Sequence, residues 1–237
     1  MRIVDYLLDL LWPPHCAVCG ARTDSNPVCD DCLHSMDIEL KAYCPDCGDC
    51  IDEFRKCPKH SNPVYPYYLP LYLFNDRIRE LIHLVKYSGR KDVGFFLGDM
   101  LAEEILKRDK FDDYDVLIPV PLHPIRYRER GYNQCTVIGK AFAKKAGIEM
   151  LEKAIIRIKN TKSQTKLDSQ QRTDNIAKAF RIDSDLSGKN IIILDDVITT
   201  GATTRELAAT IVEAGGRIKY ALCLAHPSTD ESKNNDI

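Results

Sequence analysis

Two adjacent carboxylates, Asp195 and Asp196, close the apolar run Ile191 to Leu194 and lead into Thr199-Thr200-Gly201-Ala202-Thr203, all within the segment IIILDDVITTGATTRE. These residue types in this order suit a phosphorylated sugar. Gly201 has no Cβ, so the backbone there can enter conformations closed to other residues. The hydroxyls of Thr199, Thr200 and Thr203 can donate, and the first amides of the helix predicted to begin here point at one anion. Carboxylates just ahead of such a cradle can accept hydrogen bonds from vicinal hydroxyls of the sugar bearing the phosphate, or help place a divalent cation. An acidic turn followed by an ordinary helix cap explains one Asp and one Thr but not the whole run. Two rival phosphate motifs are absent from the sequence: no Gly-x4-Gly-Lys-Ser/Thr loop accompanies ILDD, and there is no Gly-x-Gly-x-x-Gly fingerprint.

A second set of reactive residues lies at the other end of the chain. Ten cysteines occur in 237 residues, and eight fall between Cys16 and Cys57. So short a segment buries too little apolar surface to hold itself together, and its thiols supply the substitute as disulfides or as metal ligands. Cys16, Cys19, Cys29 and Cys32 are spaced Cys-x2-Cys-x9-Cys-x2-Cys, and adding 28 to each number gives Cys44, Cys47, Cys57 and His60. Every shifted position is a zinc-competent residue. Gly20 and Gly48 recur with the same offset and fit the tight turn of a zinc knuckle. The repeat predicts two tandem zinc ribbons with His60 as the eighth ligand, and it leaves Cys50, whose counterpart is Arg22, outside both sites. The ligands can pair sequentially or in a crossed arrangement. Four protein ligands leave no open position on a metal, so both zinc ions are expected to be structural.

These groups need elements to position them. Tyr68 to Phe74, Val116 to Val120, Ala154 to Ile158, Lys189 to Leu194 and Tyr220 to Ala225 read as strands, most of them continuously apolar. Helices are predicted over Asp76 to Tyr87, onward to about Arg108 after a break at Ser88-Gly89, over Asn133 to Ala146 ending at Gly147, and over Thr203 to Ala214. Strand and helix in alternation imply an α/β domain built on a parallel sheet covered on both faces. Lys159 to Lys178 is polar and aperiodic, the composition of a long functional loop. Near the start, Ile3, Tyr6, Leu7, Leu10 and Leu11 form a one-sided helix stopped by Pro13-Pro14, expected to dock on the protein itself or on a partner. The expected organisation is an N-terminal amphipathic helix over 1–14, a double zinc ribbon over 15–60, a linker over 61–70, the α/β domain over 71–228 and a polar tail over 229–237.

The formal net charge of -2 conceals a gradient. Residues 1 to 60 hold 6 Lys+Arg against 11 Asp+Glu, whereas residues 121 to 181 hold 14 against 5, a local excess of +9. That excess fits nucleic acid or a phosphorylated small molecule, with a solvated basic face as the bland alternative. Asp5 and Asp9 interrupt the apolar stretch at the start, which therefore does not read as a signal peptide, and no apolar run reaches the roughly 20 residues of a spanning helix. Paired Cys-x-x-Cys without a signal peptide points to zinc and a cytoplasmic location, and an integral membrane protein is excluded.

The acidic pair and Thr-Gly loop resemble the phosphoribosyl pyrophosphate (PRPP) motif of the type I phosphoribosyltransferases. In that family the pair holds the ribose hydroxyls and the loop holds the 5′-phosphate, which implies those roles for Asp195, Asp196 and Thr199 to Thr203. Family members that salvage 6-oxopurines usually carry an acid/base Asp in the loop, where this sequence has Thr199. Joined to a zinc module, the motif resembles the ComF/GntX family, a double zinc ribbon followed by a type I phosphoribosyltransferase fold, here over 71–228. The resemblance extends to Lys86-Tyr87, to Arg126 to Gln134 (RYRERGYNQ), and to Arg157, Gln164, Leu167, Arg172, Asn175, Ala179 and Phe180. It implies that Arg130, with Arg126 and Arg128, faces pyrophosphate. It also implies that Arg157, Lys162, Gln164 and Arg172 belong to a lid, with Arg157 and Arg172 acting in catalysis beside the acidic pair. Mg2+ would accompany PRPP. Tyr132 would stack on a base or lie in the core. The resemblance further implies a part in natural competence, with single-stranded DNA and a helicase-like ATPase as partners. Two outcomes stay open: transfer of the phosphoribosyl group to an unspecified acceptor, or binding of PRPP or a nucleotide that regulates assembly with the ATPase.

Overall fold

The computed structural model describes residues 14–24, 26–51, 57–108, 113–159 and 179–227. The N-terminal helix expected over 1–14, nearly all of the loop from Lys159 to Lys178 with Lys162, Gln164 and Arg172, and the polar tail lie outside the described residues. Within them, a short helix α1 (Asp30–His34) and two two-residue strands, β1 (Ala42–Tyr43) and β2 (Cys50–Ile51), belong to the cysteine-rich module. The α/β portion runs β3 (Tyr68–Leu73), α2 (Asp76–Tyr87), α3 (Lys91–Leu106), β4 (Val116–Pro119), α4 (Pro124–Arg130), α5 (Gln134–Ala146), β5 (Glu149–Met150), β6 (Ile155–Arg157), β7 (Phe180–Ile182), β8 (Asn190–Val197), α6 (Ala202–Glu213) and β9 (Arg217–His226).

The principal sheet has the order β2-β1-β3-β9-β8-β4-β5. β3, β9, β8, β4 and β5 are parallel to one another, as continuous apolar strands require when both faces are covered. Alternate residues of the central strands feed two cores. Ile192, Leu194, Leu222 and Leu224 join one with α2, α3 and α5, while Ile191, Ile193, Ala221 and Cys223 join the other with Leu207, Ala208 and Ile211 of α6. The α3–α5 packing depends on Gly98, where a Cβ would sit 2.2 Å from the Ile138 carbonyl oxygen.

Two features depart from the sequence pattern. The apolar run Ala154 to Ile158 implies a further member of the parallel series, but its strand β6 pairs antiparallel with β7 in a separate two-stranded sheet. Three apolar residues specify burial and leave the pairing partner open. The cysteine-rich module is also not a bead on a tether. β1 pairs antiparallel with β3 through Tyr43 and Tyr68, so the β1–β2 hairpin continues the principal sheet at its edge. β3 takes its first residues from the stretch with linker composition, and Tyr65 in that stretch is only 1 % exposed.

Candidate functional site

β8 delivers Asp195 and Asp196 at its carboxyl end, the edge at which open α/β sheets bind ligands. Both are buried, at 8 % and 5 % exposure. Asp196 accepts from Gln134 Nε2 at 3.0 Å through Oδ1 and pairs with the Lys86 ammonium through Oδ2. Its amide donates to Asp195 Oδ1 at 2.9 Å. The Cys135 thiol lies beneath the pair, with Sγ 3.5 Å from Asp195 Oδ1 and 3.8 Å from Asp196 Oδ1. The environments separate the two carboxyls. Burial, followed by the charge of Asp196, raises Asp195 to about 7. Burial alone would raise Asp196 as well, but Lys86 and the hydrogen bond from Gln134 outweigh it and hold Asp196 below the ordinary carboxylate range.

The loop after β8 matches the sequence expectation closely. Gly201 is the N-cap of α6 and has φ +69°, in the left-handed region, while Thr199 and Thr200 are exposed ahead of it. Together with Asp195, residues 197–204 line a small pocket at the start of α6. Thr204, to which the sequence pattern assigns no role, is buried beneath the turn and donates from Oγ1 to the Gly201 carbonyl at 2.9 Å.

Arg130 lies at the end of α4, a helix where the sequence suggests a basic turn. It donates to Gln134 Oε1 and sits 5.1 Å from the centroid of the Tyr87 ring. With Lys86, Tyr87, Gly89, Arg126 and Glu129 it lines a cleft of about 180 Å³. Lys86 thus lines this cleft and also reaches the acidic pair. Burial lowers the Lys86 ammonium, but Asp196 more than compensates and raises it. Arg126 pairs with Glu129 at 3.1 Å, and Arg128 is exposed. Arg157, on β6, lies with its guanidinium carbon 5.7 Å from the Phe180 ring centroid. Burial lowers it, and the charge of Asp195 partly offsets that, so the two share one electrostatic environment. Tyr132 takes the core alternative: its hydroxyl donates to the Val85 carbonyl, and Lys91 Nζ covers the ring at 4.7 Å from its centroid.

In the N-terminal module the candidate ligand atoms assemble in the sequential arrangement, not the crossed one. Cys16, Cys19, Cys29 and Cys32 form one cluster and Cys44, Cys47, Cys57 and His60 the other, with the ligand atoms of each within 4.8 Å of one another. The donor sets fit zinc. The amides of Val18 and Cys29 approach Cys16 Sγ at 3.4 and 3.3 Å, and amides nearby outweigh burial to hold that thiol at about 6. Burial is likewise outweighed at Cys57, where His60 and neighbouring amides hold the thiol at about 6. Gly20 and Gly48 have φ +73° and +72°, as knuckle turns need. Cys50 is exposed and belongs to neither cluster.

Lys86 and Gln134 stand within the family-like motifs, but the sequence gives them no role, because their meeting with Asp196 closes loops of 110 and 62 residues that no local pattern reveals. Arg205, in the first turn of α6, donates through Nη1 to the Thr200 carbonyl of the loop at 2.7 Å, and sequence reasoning misses it altogether. Its signal was available: a cation in the first turn of a helix opposes the helix dipole and calls for a compensating contact.

Residues 7–60 match the double zinc ribbon domain and residues 133–237 the phosphoribosyl transferase domain. Among curated relatives, the DNA utilization protein YhgH of Escherichia coli O157:H7 is 30 % identical over 217 residues, covering 88 % of each chain. Competence protein F of Haemophilus influenzae is 24 % identical over 84 % of this chain and 85 % of its own. Competence protein ComFC of Streptococcus pneumoniae is 24 % identical over 83 % and 86 %. Both domains in this order, and similarity that runs from the ribbon through the acidic pair, place the chain in the ComF/GntX family, and it carries that family's double zinc ribbon and type I phosphoribosyltransferase fold.

Proposed function

We propose that the chain binds PRPP, or a closely related phosphorylated ribose, with the 5′-phosphate on Thr199 to Thr203 and the ribose hydroxyls on Asp195 and Asp196. The observation that carries this reading is the junction of β8 and α6, where two buried carboxylates stand immediately before a left-handed glycine turn and a helix N-terminus. The cleft lined by Lys86, Arg126 and Arg130 supplies positive charge for the pyrophosphate. Arg157, Gln164 and Arg172 complete the reading as lid residues that exclude water once ligand is bound. Mg2+, held by phosphate and carboxylate oxygens, would share in neutralising the pyrophosphate. In turnover, the bond from C1 to the pyrophosphate oxygen breaks and a bond from C1 to an acceptor nitrogen forms, with the electron pair leaving on pyrophosphate and the acceptor's N–H proton passing to pyrophosphate or solvent. The chain's contribution is to fix the ribose through the carboxylates and to stabilise the departing charge through Lys86 and the arginines.

The names of the relatives, which speak of competence and DNA utilization, support a role in handling DNA; we infer that the strand is single-stranded DNA, handled in the cytoplasm beside a helicase-like ATPase. The exposed Arg126 and Arg128 suit such a strand. A second reading is binding of PRPP or a nucleotide without turnover; Thr199, at the position where purine-salvage members carry an acid/base Asp, argues only against a 6-oxopurine acceptor. Labelled PRPP supplied with a panel of bases separates the two. Acceptor-dependent release of pyrophosphate establishes transfer, saturable binding without release favours the non-catalytic reading, and no binding at all refutes both.

A further inference from the structure

The phosphate loop does not rest on its own domain alone. Arg205, four residues after Gly201, donates through Nη1 to the Thr200 carbonyl at 2.7 Å and to the carbonyl of Pro45, and its Nε lies 3.8 Å from Asp46 Oδ1. Pro45 and Asp46 are the two residues between the zinc ligands Cys44 and Cys47. One guanidinium therefore joins the loop to the knuckle of the second zinc site. The approach is close, since a Cβ on Gly201 would lie 3.0 Å from the Pro45 carbonyl oxygen. A second tie runs from Tyr65, whose hydroxyl shares a hydrogen bond with Thr204 Oγ1 at 3.0 Å. A third holds the start of the loop. His226 Nδ1 donates to the Ile198 carbonyl at 2.9 Å, while its ring packs on Tyr43 at 4.7 Å between centroids and lies 3.9 Å from where a Cβ on Gly48 would stand.

We infer that the second zinc site anchors the sugar-phosphate loop, with Arg205 as the positioning residue that couples them. The inference rests on the phosphoribose reading above. A metal-bound knuckle fixes the Pro45 carbonyl and Asp46, which fix Arg205, which fixes the Thr200 carbonyl and the turn at Gly201. When the knuckle loses its metal, the loop loses this support and its grip on the anion. By linkage the reverse holds, and an anion on the loop protects the second zinc against removal. The first zinc site, which has no contact of this kind with the loop among the described residues, serves as an internal control.

Full-length zinc-loaded protein is challenged with excess chelator and N-ethylmaleimide, with and without saturating ribose 5-phosphate, and thiol alkylation is mapped by peptide mass spectrometry. Ribose 5-phosphate should slow modification of Cys44, Cys47 and Cys57 by about fivefold or more, the lower end of ordinary coupling. Cys16, Cys19, Cys29 and Cys32 should react at an unchanged rate. Arg205→Ala should bind ribose 5-phosphate more weakly by calorimetry and, even when saturated, lose the selective protection, with Arg205→Lys intermediate. General destabilisation by the substitution would speed both clusters whether or not ligand is present. Equal rates with and without bound ligand in the wild type, or full protection in Arg205→Ala, would overturn the coupling. Absence of any calorimetric signal with the wild type would overturn the phosphoribose reading and this inference with it.

Discussion

Lys86→Met removes one partner of the buried Lys86–Asp196 pair and leaves the other in place. Asp196 is 8 % exposed at its side chain and Lys86 22 %, so neither charge is fully solvated. Without the ammonium, Asp196 retains the Gln134 hydrogen bond at 3.0 Å and keeps Asp195 as a neighbour. Stripping one member from a buried pair typically costs about 3–5 kcal/mol, and the partial exposure of Lys86 places this case near 3 kcal/mol. For a chain of this size that is a fall in Tm of about 6–12 °C. Adding Asp196→Asn removes the stranded charge, and the double variant should recover to within about 1 kcal/mol of the wild type, because a neutral pair avoids the desolvation cost. The assay is urea unfolding of the four proteins at saturating zinc, read as a double-mutant cycle. A Lys86→Met variant within about 0.5 kcal/mol of wild type, the range of an ordinary surface substitution, would refute the reasoning. So would a double variant no more stable than Lys86→Met alone.

Asp195 has a pH signature. The native protein keeps this proton up to about 7, whereas the unfolded chain releases it near about 4. Its stabilising contribution is therefore full below about 4 and is lost as pH rises to about 7. Asp195→Asn should flatten the stability profile across that window, and affinity for Mg-PRPP should rise with pH toward neutrality in the wild type; an unchanged profile in the variant counts against the assignment. Gly201→Ala should cost about 1–2 kcal/mol for its left-handed backbone and also weaken ribose 5-phosphate binding about tenfold or more, a loss of about 1.4 kcal/mol, through the crowding at Pro45. Gly20→Ala, with a similar φ of +73° and nothing within 4 Å of its Cβ, should pay the backbone cost alone, so equal loss of affinity in both would contradict the loop geometry. Binding of a labelled single-stranded oligonucleotide should weaken steeply with salt and have a shallower slope in Arg126→Ala/Arg128→Ala; a salt-independent affinity removes the basic segment from the account.

The zinc ligands and the phosphate loop were legible because each is written in contiguous sequence. A metal site built from Cys-x2-Cys pairs carries its geometry in its spacing, and a strand ending in two carboxylates before a glycine turn needs no distant partner to be recognised. The parallel sheet was legible from its apolar strands for the same reason. What stayed hidden depends on meetings across long separations. Lys86 and Gln134 reach Asp196 only once α2 and α5 have packed on the sheet, and Arg205 reaches Pro45 across 160 residues. Ala42-Tyr43 is too short to announce a strand, yet its pairing with Tyr68 is what brings the ribbon against the loop. β6 is recognisable as a strand but not as an antiparallel one, because its partner Phe180–Ile182 lies beyond a long polar segment.

Calorimetric titration with Mg-PRPP of the zinc-loaded wild type and of Asp195→Asn/Asp196→Asn addresses the central claim most directly. The wild type should show saturable binding to one site per chain. The double variant, verified to keep its fold by circular dichroism and both zinc ions by metal analysis, should show none. Undiminished binding in the double variant would contradict the assignment of the β8–α6 junction as the phosphoribose site.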